Sequence, residues 1–324
     1  MTKKTSLDSI PVFDLNDFEK DKEKFAREFG QAFHDYGFVR IKNHGIDEST
    51  IEDAEDVIRK FFQMDDDKKT KYSFPEHQYQ VGFTKNNEMA NGQTKADLKE
   101  YFMVCRDKRR EADVKTPETP EIDELPKFRE DTYSLYYEFN KLVSKVLKPL
   151  AMHMGEQEDW FEKRNDKSED MMRMIHYPSG GNAASHTDMS LLTILRAEKP
   201  GLFVTTRTGE ELEVTAKPGE LILNGGKALA ALTNNYFKPS YHRVDVKSKD
   251  PRQTIVYFAH INSDCMLDTV PKFKGYNGGL KNEDWFKRLS RFPILYRDYA
   301  NERLAKNFAK PQQKKKGPKP PKAA

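Results

Sequence analysis

From Met171 onward the chain changes rhythm. Residues 171–177, 191–195, 202–207, 212–216, 221–224, 241–246 and 254–261 form short apolar runs with period-two character, separated by Gly, Pro, Asn and Lys. Strands at this spacing predict a β-sandwich or barrel. Three side chains constrain it further. His186 and Asp188 stand two residues apart, and His242 follows 54 positions later. Residues i and i+2 of a strand share a face, so His186 and Asp188 can aim at one point. For His242 to join them the sheet must fold back on itself, as it does in a jelly roll.

Two imidazoles and one carboxylate with open coordination positions are the ligand set of non-haem Fe(II) oxygenases. The short motif alone carries little weight. With 8 His and 52 acidic residues in 324, a His-x-Asp/Glu triplet is expected about once by chance, and it occurs once. The strand-like context gives it meaning. Ten residues past His242 comes Arg252-Gln253-Thr254. Strand parity places Arg252, Thr254 and Phe258 on one face, suited to the carboxylate of an organic co-substrate.

Further motifs appear in a fixed order: Asp14-Leu15, Tyr36-Gly37-Phe38, Asn43-His44-Gly45, Met174-Ile175-His176-Tyr177-Pro178, His186-Thr187-Asp188 with Leu192-Thr193, Gly201-Leu202, Thr233-Asn234, His242-Arg243-Val244 and Arg252-Gln253-Thr254. In these residues, over roughly 8–300, the chain resembles the isopenicillin N synthase-like oxygenases, the group that includes plant 2-oxoglutarate oxygenases. The resemblance implies a double-stranded β-helix with Fe(II) on His186, Asp188 and His242. It implies 2-oxoglutarate and O2 as co-substrates, the far carboxylate of 2-oxoglutarate meeting Arg252, Thr254 and Tyr177. It also implies oxidation, chiefly hydroxylation, of a small molecule with release of succinate and CO2. Thr254 stands where the family usually has Ser, Lys227 where relatives commonly have Asp, and the strand around Leu212 lacks a tryptophan many relatives carry. Arg173 shares a face with Ile175 and Tyr177 and is read either as a contact for an anionic substrate group or as half of a structural ion pair. Phe258 is read as substrate-facing or core. Tyr101, Phe102 and Met189 are weaker candidates.

Composition sets compatible bounds. A formal charge of +3 demands no nucleic acid or acidic partner, and no apolar run approaches the ~20 residues that span a bilayer. Met1-Thr2-Lys3-Lys4-Thr5 leads into polar sequence without the apolar core of a signal peptide. Cys105 and Cys265 read as two reduced thiols, and the expected location is cytoplasmic.

In the N-terminal third, residues 10–13 read as a strand, Asn16 with Glu19 as a capping box, and Phe18, Phe25, Phe29 and Phe33 as one face of a helix ending at Tyr36-Gly37. Phe38 to Lys42 is a strand, Asn43-His44-Gly45 a turn in which His44 bonds backbone, and Ser49 with Glu52 caps a helix to about Phe62. A long helix carries Tyr133, Tyr136, Phe139, Val143, Val146, Leu147 and Leu150 along one side, with Pro149 bending or ending it. Trp285, Phe286, Leu289 and Tyr296 mark helical segments packed on the barrel.

The expected organisation is mainly β with flanking helices: an extension (1–7), an N-terminal α/β region (8–105), a charged, Pro-rich connector (106–126), supporting helices (127–164), the jelly-roll core (165–270), C-terminal helical segments (271–309) and a disordered Lys/Pro-rich tail (310–324). Two other functions remain open on sequence alone. One is an Fe(II)/O2 oxidase of the same fold that does without 2-oxoglutarate. The other is a non-catalytic binding protein whose basic tail touches nucleic acid phosphates.

Overall fold

The structure is a computed structural model that describes residues 10–88, 95–108 and 117–307. The extension at 1–7, part of the 106–126 connector and the tail at 310–324 lie outside the described residues. Along the chain run β1 (Val12–Asp14), α1 (Lys22–Tyr36), β2 (Phe38–Lys42), α2 (Glu48–Phe62), α3 (Asp66–Thr70), β3 (Gly82–Lys85), β4 (Glu100–Cys105), α4 (Phe128–His153) and α5 (Glu162–Asn165). There follow β5 (Met171–Tyr177), β6 (Asn182–His186), β7 (Leu192–Arg196), β8 (Leu202–Thr205), β9 (Glu211–Val214), β10 (Glu220–Gly225), α6 (Lys227–Leu232), β11 (His242–Asp245) and β12 (Arg252–Ala259). The chain closes with β13 (Met266–Leu267), α7 (Asp284–Lys287), β14 (Ile294–Leu295) and α8 (Tyr296–Asn307).

Two sheets make the jelly roll. The larger has eight strands in the order β1-β2-β10-β7-β12-β5-β4-β3, and the smaller has four in the order β6-β11-β8-β9. Strands from both halves of the chain therefore share the larger sheet. Between the sheets lies an apolar layer that includes Tyr101, Ile175, Tyr177, Leu195, Val204, Val244 and Val256. The opposite face of the large sheet is covered by helices. There Phe25, Phe29 and Phe33 of α1, Phe61 of α2 and Phe139 of α4 pack with Met172, Ile194 and Tyr257. Burying each such aromatic fully contributes roughly 1.5–3 kcal/mol, so this layer fixes the large sheet as a rigid wall.

Helix boundaries depart from the sequence reading in instructive ways. Phe18 precedes α1, whose N-cap is Asp21 accepting from the Lys24 N–H; Asn16 instead sits in a short 3-10 turn capped by Asp14. The helix ends at Gly37 in the left-handed conformation (φ 73°), which glycine adopts without a Cβ penalty. Ser49 lies inside α2, which starts after Asp47 with no side-chain cap. Pro149 does not end α4, which continues to His153; the lost N–H costs one ladder bond, and a fully packed apolar face outweighs it. No helix among the described residues is long and apolar enough to cross a membrane.

Candidate active site

His186 ends β6 and His242 begins β11, and the two residues are paired opposite one another across the antiparallel ladder. Between His242 and Val244 the register slips against β6. An irregularity of this kind re-aims a side chain at a sheet rim. The imidazole centroids lie 4.3 Å apart. Asp188, just past β6, brings Oδ1 to 3.8 Å from His242 Nε2 and 4.0 Å from His186 Nε2. One donor atom from each of the three lies within 4.8 Å of the others.

Each ring is oriented from behind. Nδ1 of His186 donates to the Ala184 carbonyl (2.7 Å) and Nδ1 of His242 to that of Ser240 (3.1 Å). That tautomer leaves both Nε2 lone pairs facing the centre, the arrangement in which imidazoles bind metals. The carboxylate of Asp188 is divided. Its Oδ2 accepts from the Thr193 hydroxyl (2.7 Å) and the Asn224 amide (2.9 Å), and Oδ1 is turned to the imidazoles. Its backbone is held as well, because Lys227 N–H donates to Asp188 O (2.9 Å) and Lys227 Nζ to Thr187 O (3.2 Å). Before Lys227 stands Gly226, where a Cβ would come within 2.1 Å of the Ser190 carbonyl, so only glycine lets the two segments approach.

Charge states follow from this packing. Burial, together with the neighbouring His242, pushes His186 down to about 4, so its ring is neutral at pH 7. Burial alone would raise Asp188, but the two imidazoles and the hydrogen bonds from Asn224 and Thr193 bring it below the usual carboxylate range. Neutral imidazole and ionised carboxylate are the forms that coordinate a cation. The donor set thus fits a divalent iron with three remaining positions.

The candidate co-substrate residues lie on β12 and β5, where Arg252 pairs with Tyr177 in register. Arg252 is 2% exposed. Its Nη1 has no hydrogen-bond partner, its Nε makes one long bond to the Lys199 carbonyl (3.4 Å), and among the described residues no carboxylate faces it. Burial lowers its pKa, and the phenol of Tyr177 only partly opposes this. A buried cation without a counter-ion is costly, and a ligand carboxylate would relieve it. Thr254, two residues on, is buried on the same face, but its hydroxyl proton goes to the Arg196 carbonyl. It therefore does not offer a donor in this arrangement.

The weaker candidates separate cleanly. Arg173 lies over the ring of Tyr101 (4.2 Å) and beside that of Phe258 (5.4 Å), with Nη1 bonded to both oxygens of Glu88. Phe102 points to the helix side of the sheet and belongs to the structural core, and Met189 packs against that core too. His44 takes a backbone bond from Ile46 N (3.2 Å), a turn contact. Asn224 and Glu88 carry no residue pattern that marks them as site residues, and Lys227 stands out in sequence only as a departure from relatives. Asn224 is neighbour to Thr193 across the β10–β7 ladder, a contact that becomes visible only once the strands are paired.

Comparison with known proteins agrees with this geometry. Residues 10–125 match the family model for the non-haem dioxygenase in morphine synthesis N-terminal region, and residues 168–261 match that for the 2OG-Fe(II) oxygenase superfamily. The chain is 26% identical to a 1-aminocyclopropane-1-carboxylate oxidase of Dictyostelium mucoroides over 96% of its own length and 98% of the relative's. It is also 26% identical to a homoarginine-6-hydroxylase of Glycine max, covering 94% and 98%. Among solved structures, a putative 2OG-Fe(II) oxygenase family protein from Caulobacter crescentus superimposes with a TM-score of 0.78 at 27% identity, over 92% of this chain and 99% of that one. With both regions matched and nearly the whole length aligned, the chain belongs to the isopenicillin N synthase-like 2OG-Fe(II) oxygenases, and it is an Fe(II)- and 2-oxoglutarate-dependent dioxygenase.

Proposed function

We propose that His186, Asp188 and His242 hold the iron, that Arg252 with Tyr177 receives the far carboxylate of 2-oxoglutarate, and that the reaction is a hydroxylation. The observation that carries the co-substrate assignment is the buried, unpaired Arg252 guanidinium. When bound, Fe(II) and 2-oxoglutarate supply the oxidising chemistry, with O2 consumed and succinate and CO2 released.

The chain's own contribution is placement. Asn224 and Thr193 keep Oδ2 of Asp188 occupied so that Oδ1 stays aimed at the centre. Arg252 offers a planar fork that binds a carboxylate bidentately, each charged hydrogen bond contributing roughly 1.5–3 kcal/mol. The apolar lining from Leu195, Val204, Val244 and Val256 limits water in the roll. Arg173 and Phe258 extend the same sheet face and form the wall that meets the substrate. Relatives named for a cyclic amino acid and for homoarginine make amino acids a candidate class. The division into an α/β region at 8–105 and a core at 165–270 belongs to the same reading, as does a cytoplasmic setting, for which the two free cysteines are suited.

The test is succinate release by the purified full-length protein. It should require Fe(II) and 2-oxoglutarate and rise when substrate is added. Undiminished substrate turnover without any 2-oxo acid would instead favour an Fe(II)/O2 oxidase of the same fold.

A further inference from the structure

The wall beside the proposed metal ligands contains a balanced set of charges, with Lys99 and Asp97 buried and Arg173 and Glu88 partly buried. Glu88 bonds Arg173 Nη1 (3.1 and 3.2 Å) and Lys99 Nζ (2.8 Å), and Lys99 also pairs with Asp97 (3.0 Å). Burial works against the charge on Glu88, but Arg173 and Lys99 together hold its carboxyl far below the ordinary range. Asp97 Oδ1 accepts from the N–H of Ala184 (3.1 Å), the residue whose carbonyl holds the His186 ring (2.7 Å). The cluster therefore borders the metal centre, and it sums to zero: two cations against two anions.

Arg173 is only partly used. Glu88 engages Nη1 alone, Nε has no hydrogen-bond partner, and no bond from Nη2 occurs among the described residues. The guanidinium stays in place between the Tyr101 and Phe258 rings. Its unclaimed Nε–Nη2 edge is a donor pair of the spacing that takes a carboxylate. A ligand anion there would leave the cluster one negative charge in excess, at low dielectric, unless the ligand also brought a cation to Glu88. A ligand cation without an anion would meet Arg173 and Lys99 with nothing to offset it. Unpaired buried charge is the costly case.

We propose that Arg173 and Glu88 form the specificity subsite of the dioxygenase and that its substrate is a zwitterion of the α-amino-acid type, carboxylate on Arg173 and ammonium on Glu88. This rests on the dioxygenase reading above. The wall selects by net charge: a ligand carrying both signs keeps the balance that either half alone would break.

The test uses full-length enzyme with Fe(II) and 2-oxoglutarate. Succinate is measured against the twenty L-amino acids, then against the amine and the deamino acid matching the best responder. The zwitterion is expected to stimulate succinate formation at about tenfold or more higher kcat/KM than either half, a factor worth roughly 1.4 kcal/mol. Glu88→Gln should invert part of that preference, favouring the deamino acid, because the wall then carries one excess positive charge. Arg173→Gln should shift it toward the amine. A purely structural ion pair would lower turnover of all three compounds alike, without a change in order. That result, or best stimulation by an uncharged or singly charged compound, or no response to any amino acid, overturns the proposal while 2-oxoglutarate decarboxylation still stands. Absence of decarboxylation under every condition overturns the dioxygenase reading itself, and the proposal with it.

Discussion

Two buried aspartates are treated in opposite ways. Asp170, just before β5, has every side satisfied by neutral donors. Its Oδ1 accepts from the Ser168 hydroxyl and the His260 N–H (both 2.7 Å), and its Oδ2 from the Tyr257 phenol (3.1 Å). Asp188 has neutral donors on one oxygen only, and the other is given to two imidazoles. Burial raises the carboxyl of Asp170, whereas the surroundings of Asp188 lower its own. The first is a staple joining the start of β5 to the end of β12. The second is one of the three donors of the proposed coordination site. A saturated buried carboxylate serves the fold, and an unsaturated one implies a visitor.

Substitutions can break that contrast. The largest effect is expected from His242→Ala, which should abolish Fe(II) retention and lower turnover by about 10³-fold or more, measured by iron content after desalting and by succinate release. Retained iron with normal turnover would remove His242 from the centre. Asp170→Ala leaves several donors unsatisfied and should cost about 3 kcal/mol of unfolding free energy in urea melts, while iron affinity in the folded protein stays close to wild type. Equal loss of iron affinity would erase the distinction between the two aspartates. Arg252→Leu should raise the KM for 2-oxoglutarate by about 10²-fold with little change in iron binding. It should also leave the ligand-free protein no less stable, since it removes an unpaired buried charge. Asn224→Leu frees Oδ2 of Asp188 on one side and should weaken Fe(II) by roughly tenfold, the range seen when groups orienting a metal ligand are removed.

Glu88 offers a third case, a carboxylate held between two cations, with Oε1 taking a single bond from Arg173. Because its folded pKa is lowered, its contribution is present above the unfolded value of about 4.3 and is lost as pH falls toward the folded one. The stability gap between wild type and Glu88→Gln should hold steady near neutrality. Below pH about 4.3 it should narrow by up to roughly 1.4 kcal/mol per pH unit. A gap that widens on acidification would contradict the charge assignment.

Much of this was legible in residue order. The period-two runs from Met171 locate most strands of the roll, and spacing read in that strand-like context, together with the family resemblance, nominates His186, Asp188, His242 and Arg252. Other strands were illegible for definite reasons. Glu100–Cys105 is buried on both faces and so shows no alternation. Asn182–His186 holds no β-branched or aromatic residue and becomes a strand only by pairing with β11. Two helix starts are hidden because Asn16 and Ser49 offer caps the chain does not use. The neighbours of the ligands were hidden by distance. Asn224 reaches Asp188 across 36 residues and Glu88 reaches Arg173 across 85. The position of Lys227, a departure from relatives with no account in sequence, acquires one: it grips the backbone of Thr187 and Asp188.

Both histidines of the proposed centre are tethered to the carbonyl two residues before them, Ala184 for His186 and Ser240 for His242. These are bonds within each ring's own segment of backbone, so the group that orients each ring is local in sequence. The socket is therefore cast when the strands pair, so stripping and reloading the enzyme should be a matter of chelator and concentration, with no refolding in between.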